Sequence, residues 1–507
     1  MESSSALLLL AFIAAVAFIS RIINRKPPTK LKHPPGPKPW PIIGNMHLIG
    51  SIPHQSLHYL SQKYGELMLL KFGKFPVVVA ASPEMAKQFL KIYDTSFASR
   101  PALAAGKYTS FNYSDLTWAP YGPYWRQARK IYLTEVLNAK AIKTYEHVRM
   151  EERRTFFSRL HSLSGKSIVL REQLCRYTLS TMSNVIFGRL VFDSHEAKGG
   201  NAVKLDELQA MLDDWFFFGG ALNLGDWIPW LNYIDPQGYV KRMKALNRKF
   251  DRFYTSVFSH HLANRDPSAP KIPLDSLLGM PGDPNLDVKL TEENVKGLLM
   301  DLLAGGTDTS ATTVEWAVHE LLRHPHVYSK VKEEIDRVVG RNRWVEEEDF
   351  PQLTYLDAVI KESMRLHPLA TFLAPHCAME DINIAGYDIS KGTMILVNTW
   401  SLGRDPKVWD NPEKFSPERF LVEDIDILGS NFALLPFGSG RRRCPGYKLG
   451  LKLVRSTLSN LVHGFNWRLP EGMTVKDVCM EELYGLTTRP KISLEIILEP
   501  SLPLHLY

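Results

Sequence analysis

The amino-acid sequence predicts a mainly α-helical protein with small β-sheets, preceded by one N-terminal transmembrane helix. Apolar residues recur at helical spacing through most of the 507-residue chain. Short β-like runs occur early and late in the chain, and an uncharged apolar stretch opens it. The predicted strands are residues 68–72, 75–80, 394–398 and 492–498.

Composition and charge exclude several protein classes. Hydrophobic residues make up 45% and charged residues 23% of the chain, which is ordinary for a globular protein and unlike a disordered one. The net charge of +7 is small for this length, so nucleic acid is not an expected partner. The cysteines form no CxxC pair and no disulfide framework, which indicates a reducing compartment.

Residues 1–20 are predicted to form a transmembrane signal anchor. The uncharged stretch from Ser3 to Ser20 has about the 18 residues that a membrane-spanning helix needs. Basic residues follow it, and by the positive-inside rule they keep the rest of the chain cytosolic. A cleaved secretory signal peptide is the alternative, since Ala15-Val16-Ala17 offers a small-x-small cleavage pattern. Glu2 argues against it, because a signal peptide begins with a basic region.

A basic and proline-rich linker is predicted over residues 21–41. Five prolines lie between Pro34 and Pro41. Proline fixes φ and removes a backbone donor, so this stretch is expected to be a stiff spacer. The globular body is then predicted to span residues 42–507.

The clearest predicted element is a helix from Thr291 to Arg323. Its apolar residues recur at helical spacing, Thr291 can cap its start, and His324-Pro325 ends it. About 33 residues at 1.5 Å rise give roughly 50 Å, which is long enough to cross a domain. This helix is therefore expected to be central and buried.

Two adjacent glycines, Gly305 and Gly306, interrupt this helical pattern. Each costs about 1 kcal/mol relative to alanine in a helix, so something should compensate. One interpretation is that a flat ligand lies against the helix here, with Asp308 and Thr309 passing protons into the space beside it. The other interpretation is a close helix crossing that requires small residues.

Cys444 ends a glycine-rich loop and precedes an apolar helical pattern. Three arginines come directly before it, and Pro445 suits the first position of a helix. The helix dipole and the arginines would favour a thiolate at Cys444. Such a thiolate can be an axial haem ligand or a nucleophile, and a buried structural cysteine is a further possibility. Zinc is disfavoured, because no second cysteine or histidine lies at ligand spacing.

Four motifs in order resemble those of the cytochrome P-450 monooxygenases. Phe437 to Gly446 matches the family's haem-binding loop FxxGxRxCxG, and Ala304 to Ser310 resembles its oxygen-activating helix motif. Glu362 to Arg365 matches ExxR, and Pro417 to Phe420 matches the PERF segment. Trp125-x-x-x-Arg129 is similar to the helix that binds the haem propionates. The resemblance extends over essentially the whole chain and is strongest to plant microsomal enzymes of specialised metabolism.

The resemblance implies a haem b cofactor whose iron takes an axial thiolate from Cys444. Trp125, Arg129 and Arg442 are expected to bind the haem propionates, because buried carboxylates need charge-assisted donors. His376 is another candidate, since it falls where many relatives place an arginine. The expected cofactor-binding residues are Cys444, Trp125, Arg129, Arg442, His376, Phe437 and Gly438.

The resemblance also implies catalytic and structural roles. Asp308 and Thr309 resemble the acid–alcohol pair that delivers protons for dioxygen activation, while the cofactor carries the redox chemistry. Thr309 argues against the family's isomerising and dehydrating branches, which often lack this residue. Glu362, Arg365 and Arg419 are expected to form a buried structural ion-pair network.

Several apolar residues are predicted to line a substrate pocket, with ordinary core packing as the alternative for each. Aromatic residues at 215–218 and 227–230 are expected near the substrate entrance and the bilayer, because tryptophan suits a membrane interface. The predicted lining residues are Phe111, Phe217, Ala304, Phe372 and Leu486.

The predicted function is a monooxygenase on the endoplasmic reticulum membrane, with one transmembrane pass and a cytosolic catalytic body. NADPH–cytochrome P-450 reductase is expected to supply electrons through a basic docking face, with an ordinary solvated surface as the alternative. Some of six basic residues near the haem loop should form this face: Arg441, Arg442, Arg443, Lys448, Lys452 and Arg455. One atom of dioxygen would enter a small lipophilic plant metabolite, either a phenolic such as a flavonoid or lignan, or a terpenoid. The alternative is a haem-bearing protein of the same fold that sequesters a ligand without turnover.

Overall fold

The computed structural model describes residues 31–188, 204–266, 268–422 and 425–507. Helices predominate in these ranges, which confirms the predicted class. Helices α1 to α8 are Pro53–Tyr64, Pro83–Lys87, Ala104–Thr109, Pro123–Ile131, Ala139–Thr144, Glu146–Ser162, Leu170–Phe187 and Leu205–Gly220. Helices α9 to α17 are Leu224–Trp227, Tyr239–Asn264, Pro273–Leu278, Glu292–Arg323, Pro325–Val339, Thr354–Leu366, Thr399–Leu402, Arg419–Val422 and Tyr447–Gly464.

The strands form small sheets, also as predicted. Strands β1 to β11 are Leu67–Phe72, Phe75–Ala80, Ser167–Val169, His376–Cys377, Ile382–Ile384, Tyr387–Ile389, Met394–Val397, Phe465–Arg468, Glu482–Leu483, Arg489–Pro490 and Glu495–Pro500. A four-stranded sheet has the order β1-β2-β7-β4, with a parallel pair between β2 and β7, and a three-stranded sheet has the order β3-β11-β8. Two-stranded ladders pair β5 with β6 and β9 with β10.

The long predicted helix is α12, and its predicted ends are confirmed. Thr291 caps it, because its Oγ1 accepts a hydrogen bond from the Asn294 amide at 3.3 Å. His324 ends the helix, and Pro325 opens α13. The helix packs against α7 and α17 and is buried over most of its length. Its central position follows from apolar residues on all of its faces.

The hydrophobic core has two large parts, and α12 contributes to both. The N-terminal half of α12, from Val295 to Ala304, packs with α8 and α10. The C-terminal half, from Ala311 to Leu321, packs with α13, α14 and α17. Between these halves, Gly305 is exposed and Thr309 is half-buried, although their neighbours in the helix are mostly buried. They lie one turn apart, so the same side of α12 faces an open space.

The structure describes only part of the N-terminal region for which predictions were made. The predicted anchor, residues 1–20, lies outside the described residues. Within the described ranges, no helix is long and apolar enough to cross a bilayer. The described end of the predicted linker lies on the body, since Leu69 N donates to Pro35 O at 2.8 Å and Lys32 N donates to Asp388 Oδ2 at 2.8 Å.

Candidate active site

A cavity of about 360 Å³ lies on the open side of α12. The middle of the helix forms one part of the wall, and the loop that carries Cys444 forms another. Helices α4, α8 and α14 contribute further wall residues, as do Leu486 and Thr487. Eight residues predicted from the sequence lie in this lining: Thr309, Cys444, Trp125, Arg129, Arg442, Phe437, Phe372 and Leu486.

Three predicted substrate residues lie outside the lining. Phe217 is 45% exposed, because it lies on the outer side of α8, where its ring packs against Tyr239. Phe111 is buried in the core against Tyr254, with ring centroids 6.2 Å apart. Ala304 is fully buried, one position before α12 turns its open side to the cavity. Helix α8 instead presents Trp215 and Phe216 to the cavity.

The two glycines of α12 have different surroundings, so each interpretation made from the sequence applies to one of them. A Cβ added to Gly305 would meet nothing within 4 Å. A Cβ added to Gly306 would lie 2.5 Å from the sulfur of Met182 on α7. Gly306 therefore permits the close crossing of α7 and α12, and Gly305 leaves room beside the helix for a ligand.

Cys444 lies in a tight loop just before α17. Its amide donates to Phe437 O at 2.9 Å, and α17 begins at Tyr447, later than the sequence predicted. All four cysteines are described, and Cys444 alone lines the cavity. Burial raises the pKa of its thiol, while the Gly446 amide and the Arg129 guanidinium act in the opposite direction.

Of the three arginines in this loop, Arg443 lowers the pKa of Cys444, but burial raises it more. Arg441 forms an ion pair with Asp94 at 3.3 Å. Arg443 donates to Leu428 O at 3.0 Å. The effect of the arginines on Cys444 depends on where the side chains point, which the motif alone does not specify.

Three guanidinium groups, of Arg100, Arg129 and Arg442, line one side of the cavity next to Trp125. In the described part of the chain none of them forms an ion pair with a carboxylate, and their hydrogen bonds go to backbone carbonyls. Burial, followed by the Arg100 charge, lowers the pKa of Arg442. Half-buried cations that form no ion pair with a carboxylate favour an anionic ligand. The carboxylates of a haem suit this cluster, and Arg100 is a member that sequence reasoning missed.

His376 and Gly438 lie near this cluster but outside the lining. The Nδ1 atom of His376 is 2.9 Å from Phe97 O. Burial, followed by the charges of Arg100 and Arg442, lowers the pKa of His376 to about 3. A neutral imidazole offers a hydrogen bond to a carboxylate but no charge, so the predicted propionate contact would be weaker than that of an arginine. Gly438 has a φ of +67°, which suits the turn before Cys444.

Asp308 and Thr309 are neighbours in sequence, but their side chains lie on different sides of α12. Asp308 is buried and forms an ion pair with Arg171, which also donates to Glu315 at 2.9 Å. Thr487 Oγ1 donates to the other Asp308 oxygen at 2.5 Å. Thr309 faces the cavity, and its hydroxyl donates to Gly305 O at 2.7 Å. Successive helix positions are about 100° apart, which accounts for the divergence.

Asp301 is a further cavity residue that sequence reasoning missed. It accepts hydrogen bonds from Leu116 N at 2.5 Å, Thr117 N at 3.2 Å and Thr117 Oγ1 at 2.8 Å. Burial raises its pKa to about 6, against the effect of these bonds. The carboxylate thereby fastens one wall of the cavity to α12. A single charge in the apolar run from Leu298 to Ala304 was the sequence signal that could have identified it.

Glu362, Arg365 and Arg419 come together away from the cavity lining. Glu362 and Arg365 are almost fully buried and share two hydrogen bonds, at 2.7 and 2.8 Å. Arg419 Nε reaches the same carboxylate at 3.1 Å. Arg365 also donates to the carbonyl groups of Gly403 and Pro412, so the network connects α14 to the segment before α16.

Comparisons with known proteins agree with this site. A family model described as cytochrome P450 matches residues 34–496. A trimethyltridecatetraene synthase of Zea mays is 41% identical, over 99% of this chain and 95% of its own length. A flavonoid 3'-monooxygenase of Petunia hybrida is also 41% identical, over 98% of this chain and 97% of its own. A solved zebrafish cytochrome P450 with abiraterone has a TM-score of 0.74 at 26% identity and covers 89% of this chain and 100% of that one. The chain thus belongs to the cytochrome P450 family and is a monooxygenase that uses haem held by a cysteine thiolate.

Proposed function

We propose that the protein is a membrane-anchored monooxygenase that inserts one oxygen atom from dioxygen into a lipophilic plant specialised metabolite. Electrons come from NADPH through a reductase. The observation that carries the proposal is one cavity that combines Cys444, the open side of α12 at Gly305 and Thr309, and a cluster of guanidinium groups that form no ion pair with the described residues. Haem, when bound, supplies the iron at which dioxygen is reduced and one oxygen atom is transferred.

Cys444 is the proposed axial ligand. The amide hydrogen bond from Cys444 to Phe437 O holds the loop in a fixed conformation around the sulfur. We expect Cys444→Ser to lose haem, or to lose the red-shifted Soret band of the reduced carbon monoxide complex. Cys377→Ser is the matched control, because Cys377 lies outside the cavity lining. An unchanged thiolate spectrum in Cys444→Ser would contradict the assignment.

Arg100, Arg129 and Arg442 are proposed to bind the haem propionates, with Trp125 Nε1 as a further donor. Each guanidinium would exchange backbone carbonyl partners for a carboxylate, which makes a stronger, charge-assisted hydrogen bond. Arg442 also lies 4.4 Å from the centre of the Trp125 ring, so the two side chains hold each other in place. We expect Arg100→Leu to lower haem content in the purified protein.

Thr309 is proposed to hold protons at the reacting centre. Its position in the cavity wall and its hydrogen bond to Gly305 O support this role. We expect Thr309→Ala to keep haem and the substrate-induced spectral shift, while NADPH oxidation continues and yields hydrogen peroxide in place of product. General acid–base groups contribute about 10²- to 10⁴-fold, so the product-to-NADPH ratio should fall clearly. Unchanged coupling would contradict the role.

The substrate is proposed to be a flavonoid-type or lignan-type phenolic, or a terpenoid. Trp215, Phe216, Phe372 and Leu486 give the cavity an aromatic and apolar wall, which suits a lipophilic ligand. Relatives of equal identity are named for a flavonoid and for trimethyltridecatetraene, so both classes stay open. Microsomal expression with a reductase and a metabolite panel, read by mass spectrometry, tests the proposal. Absence of product with both classes would contradict it.

Membrane anchoring by residues 1–20, with a cytosolic body, is likewise proposed. Exposed apolar side chains at Trp230, Tyr233 and Ile234 support contact between the body and a bilayer. Asn112 begins an Asn-Tyr-Ser sequon and is itself exposed. It should stay unmodified in a cytosolic body. Endoglycosidase-sensitive mass at Asn112 would contradict the orientation.

A further inference from the structure

Two cavities of similar size lie on either side of one buried ion pair. Thr487 lines the cavity of the candidate active site. Arg171 lines a second cavity of about 340 Å³. Asp308 joins them, because it accepts a hydrogen bond from Thr487 Oγ1 at 2.5 Å and forms an ion pair with Arg171. Two consecutive polar contacts, Thr487–Asp308 and Asp308–Arg171, therefore connect the second cavity to the active-site cavity.

The second cavity is polar and reaches the protein surface. Arg176 and Asp206 line it, and their side chains are 47% and 86% exposed. Gln173 and Gln209 also line it, and the side-chain oxygen of each is buried without a hydrogen-bond partner among the described residues. Polar, roomy cavities with such acceptors hold water. The second cavity is thus suited to bring solvent close to Arg171.

The hydroxyl group in contact with Asp308 belongs to Thr487. The Thr309 hydroxyl donates to Gly305 O at 2.7 Å, one turn back in the same helix. A proton on Asp308 would therefore reach the active-site cavity most directly through Thr487. No sequence signal indicated this, since Thr487 lies 179 residues from Asp308 along the chain.

We propose that Thr487 is a further relay residue of the reaction, supplied with solvent protons from the second cavity through Asp308. The inference rests on the monooxygenase function proposed above. Asp308 Oδ1 accepts a proton from a hydronium ion in the second cavity, which leaves water, when Arg171 keeps its bond to Glu315 and releases Asp308. Rotation of the carboxyl group brings that proton to Thr487 Oγ1, which donates its own proton into the active-site cavity. One proton is transferred, no electron moves, and the Asp308 carboxylate is regenerated.

Substitutions of Thr487 test the relay in the haem-loaded full chain. Thr487→Val keeps the shape of the side chain and removes the hydroxyl, whereas Thr487→Ser keeps the hydroxyl. The matched control is Thr488→Val, because the Thr488 hydroxyl contacts Thr371 at 3.2 Å and lies outside the cavity lining. Haem content, the substrate-induced spectral shift and the unfolding midpoint should be the same in all three variants.

We expect the ratio of product to NADPH to fall about tenfold in Thr487→Val, with hydrogen peroxide rising to match, as for loss of a proton-transfer group. Thr487→Ser and Thr488→Val should couple like the unchanged chain. Normal coupling in Thr487→Val, or equal loss in Thr488→Val, would overturn the relay. Absence of any product from the unchanged chain would instead contradict the proposed function, and this inference with it.

A second arm tests the source of the protons. Ser493 lines the second cavity, so Ser493→Phe should fill part of it. Ile492→Phe is the control, since Ile492 is exposed and outside the lining. We expect Ser493→Phe to raise the share of hydrogen peroxide severalfold, with haem content unchanged, and Ile492→Phe to have no effect. Normal coupling in Ser493→Phe would overturn the second cavity as the source.

Discussion

Gly305 and Gly306 allow a sharp test, because the same substitution by alanine should have opposite effects at adjacent positions. Both residues lie in α12, where alanine is favoured over glycine by about 1 kcal/mol. At Gly305 the added methyl group meets no atom within 4 Å, so this gain should appear in full. Gly305→Ala is therefore expected to raise the free energy of unfolding by up to about 1 kcal/mol.

At Gly306 the added methyl group would collide with Met182. The new carbon would lie 2.5 Å from the sulfur and the terminal carbon of Met182 and 2.8 Å from its Cγ. Met182 is 2% exposed and lines the cavity, so the end of its side chain must move to make room for the new methyl group. Overpacking of a core typically costs about 1–3 kcal/mol, so the gain in helix propensity is offset or exceeded. We expect Gly306→Ala to be less stable than Gly305→Ala by about 1–3 kcal/mol.

Urea unfolding of the two haem-loaded variants measures this difference. Gly306→Ala combined with Met182→Ala provides a control, because the shorter side chain removes the collision and should give a favourable coupling energy in a double-mutant cycle. Titration of a lipophilic ligand should also show weaker binding to Gly305→Ala, whose methyl group enters the cavity. Equal stability of the two alanine variants would refute the assignment of Gly306 to the crossing with α7.

Three other perturbations have outcomes that follow from the structure. Glu362→Gln leaves Arg365 and Arg419 without an ionised partner and should lower the free energy of unfolding by about 3–5 kcal/mol. Glu499→Gln, in the exposed pair with Arg468, is the control and should cost less than about 1 kcal/mol. Equal urea midpoints for the two variants would contradict this difference. Burial lowers the pKa of His319 from 6.5 to about 4, so the folded state favours the neutral ring. The contribution of His319 to the free energy of unfolding is therefore complete above pH 6.5 and is lost as the pH falls towards 4. Between pH 6.5 and 4, the free energy of unfolding should therefore fall by up to about 3 kcal/mol less in His319→Gln than in the unchanged chain. The same pH dependence of stability in both proteins would contradict this. Lys448→Glu should slow reductase-supported turnover and flatten its dependence on salt, with peroxide-supported turnover unchanged; equal loss with peroxide would indicate damage to the haem site instead.

Lys448 is the best single probe of the basic docking face that the sequence predicts. Lys452 forms an ion pair with Glu347, and Arg455 contacts Asp357 at 2.6 Å. These partners reduce the charge available for docking. Lys448 forms no ion pair with the described residues, so it is the sharper probe of an electron donor.

The local parts of the fold were predictable from the sequence because they depend on neighbours along the chain. Helix α12 carries its own cap at Thr291 and its own stop at His324. The hairpin of β1 and β2 was placed to within one residue of its observed ends. The loop before Cys444 has a motif whose glycines and arginines are close in sequence. In each of these elements, backbone propensity and nearby side chains determine the structure.

Side-chain direction was less predictable, since it depends on how the elements pack. Phe217 was predicted to line the pocket, but packing of α8 turns Trp215 and Phe216 inward and leaves Phe217 at the surface. Asp308 and Thr309 follow one another in the chain and yet lie on different sides of α12. A helical pattern identifies that a face is apolar, whereas the identity of its neighbour comes only from the tertiary structure.

The sequence by itself determined the helical class, the central helix, the cysteine loop and the family resemblance, because all of these are written in short segments. Tertiary structure alone decided which distant residues meet. It brought Arg100 to the guanidinium cluster, Thr487 and Arg171 to the same carboxylate, and Asp301 to the loop at Thr117. These contacts join segments separated by more than a hundred residues, so they depend on the packing of the whole core and leave no local pattern in the sequence.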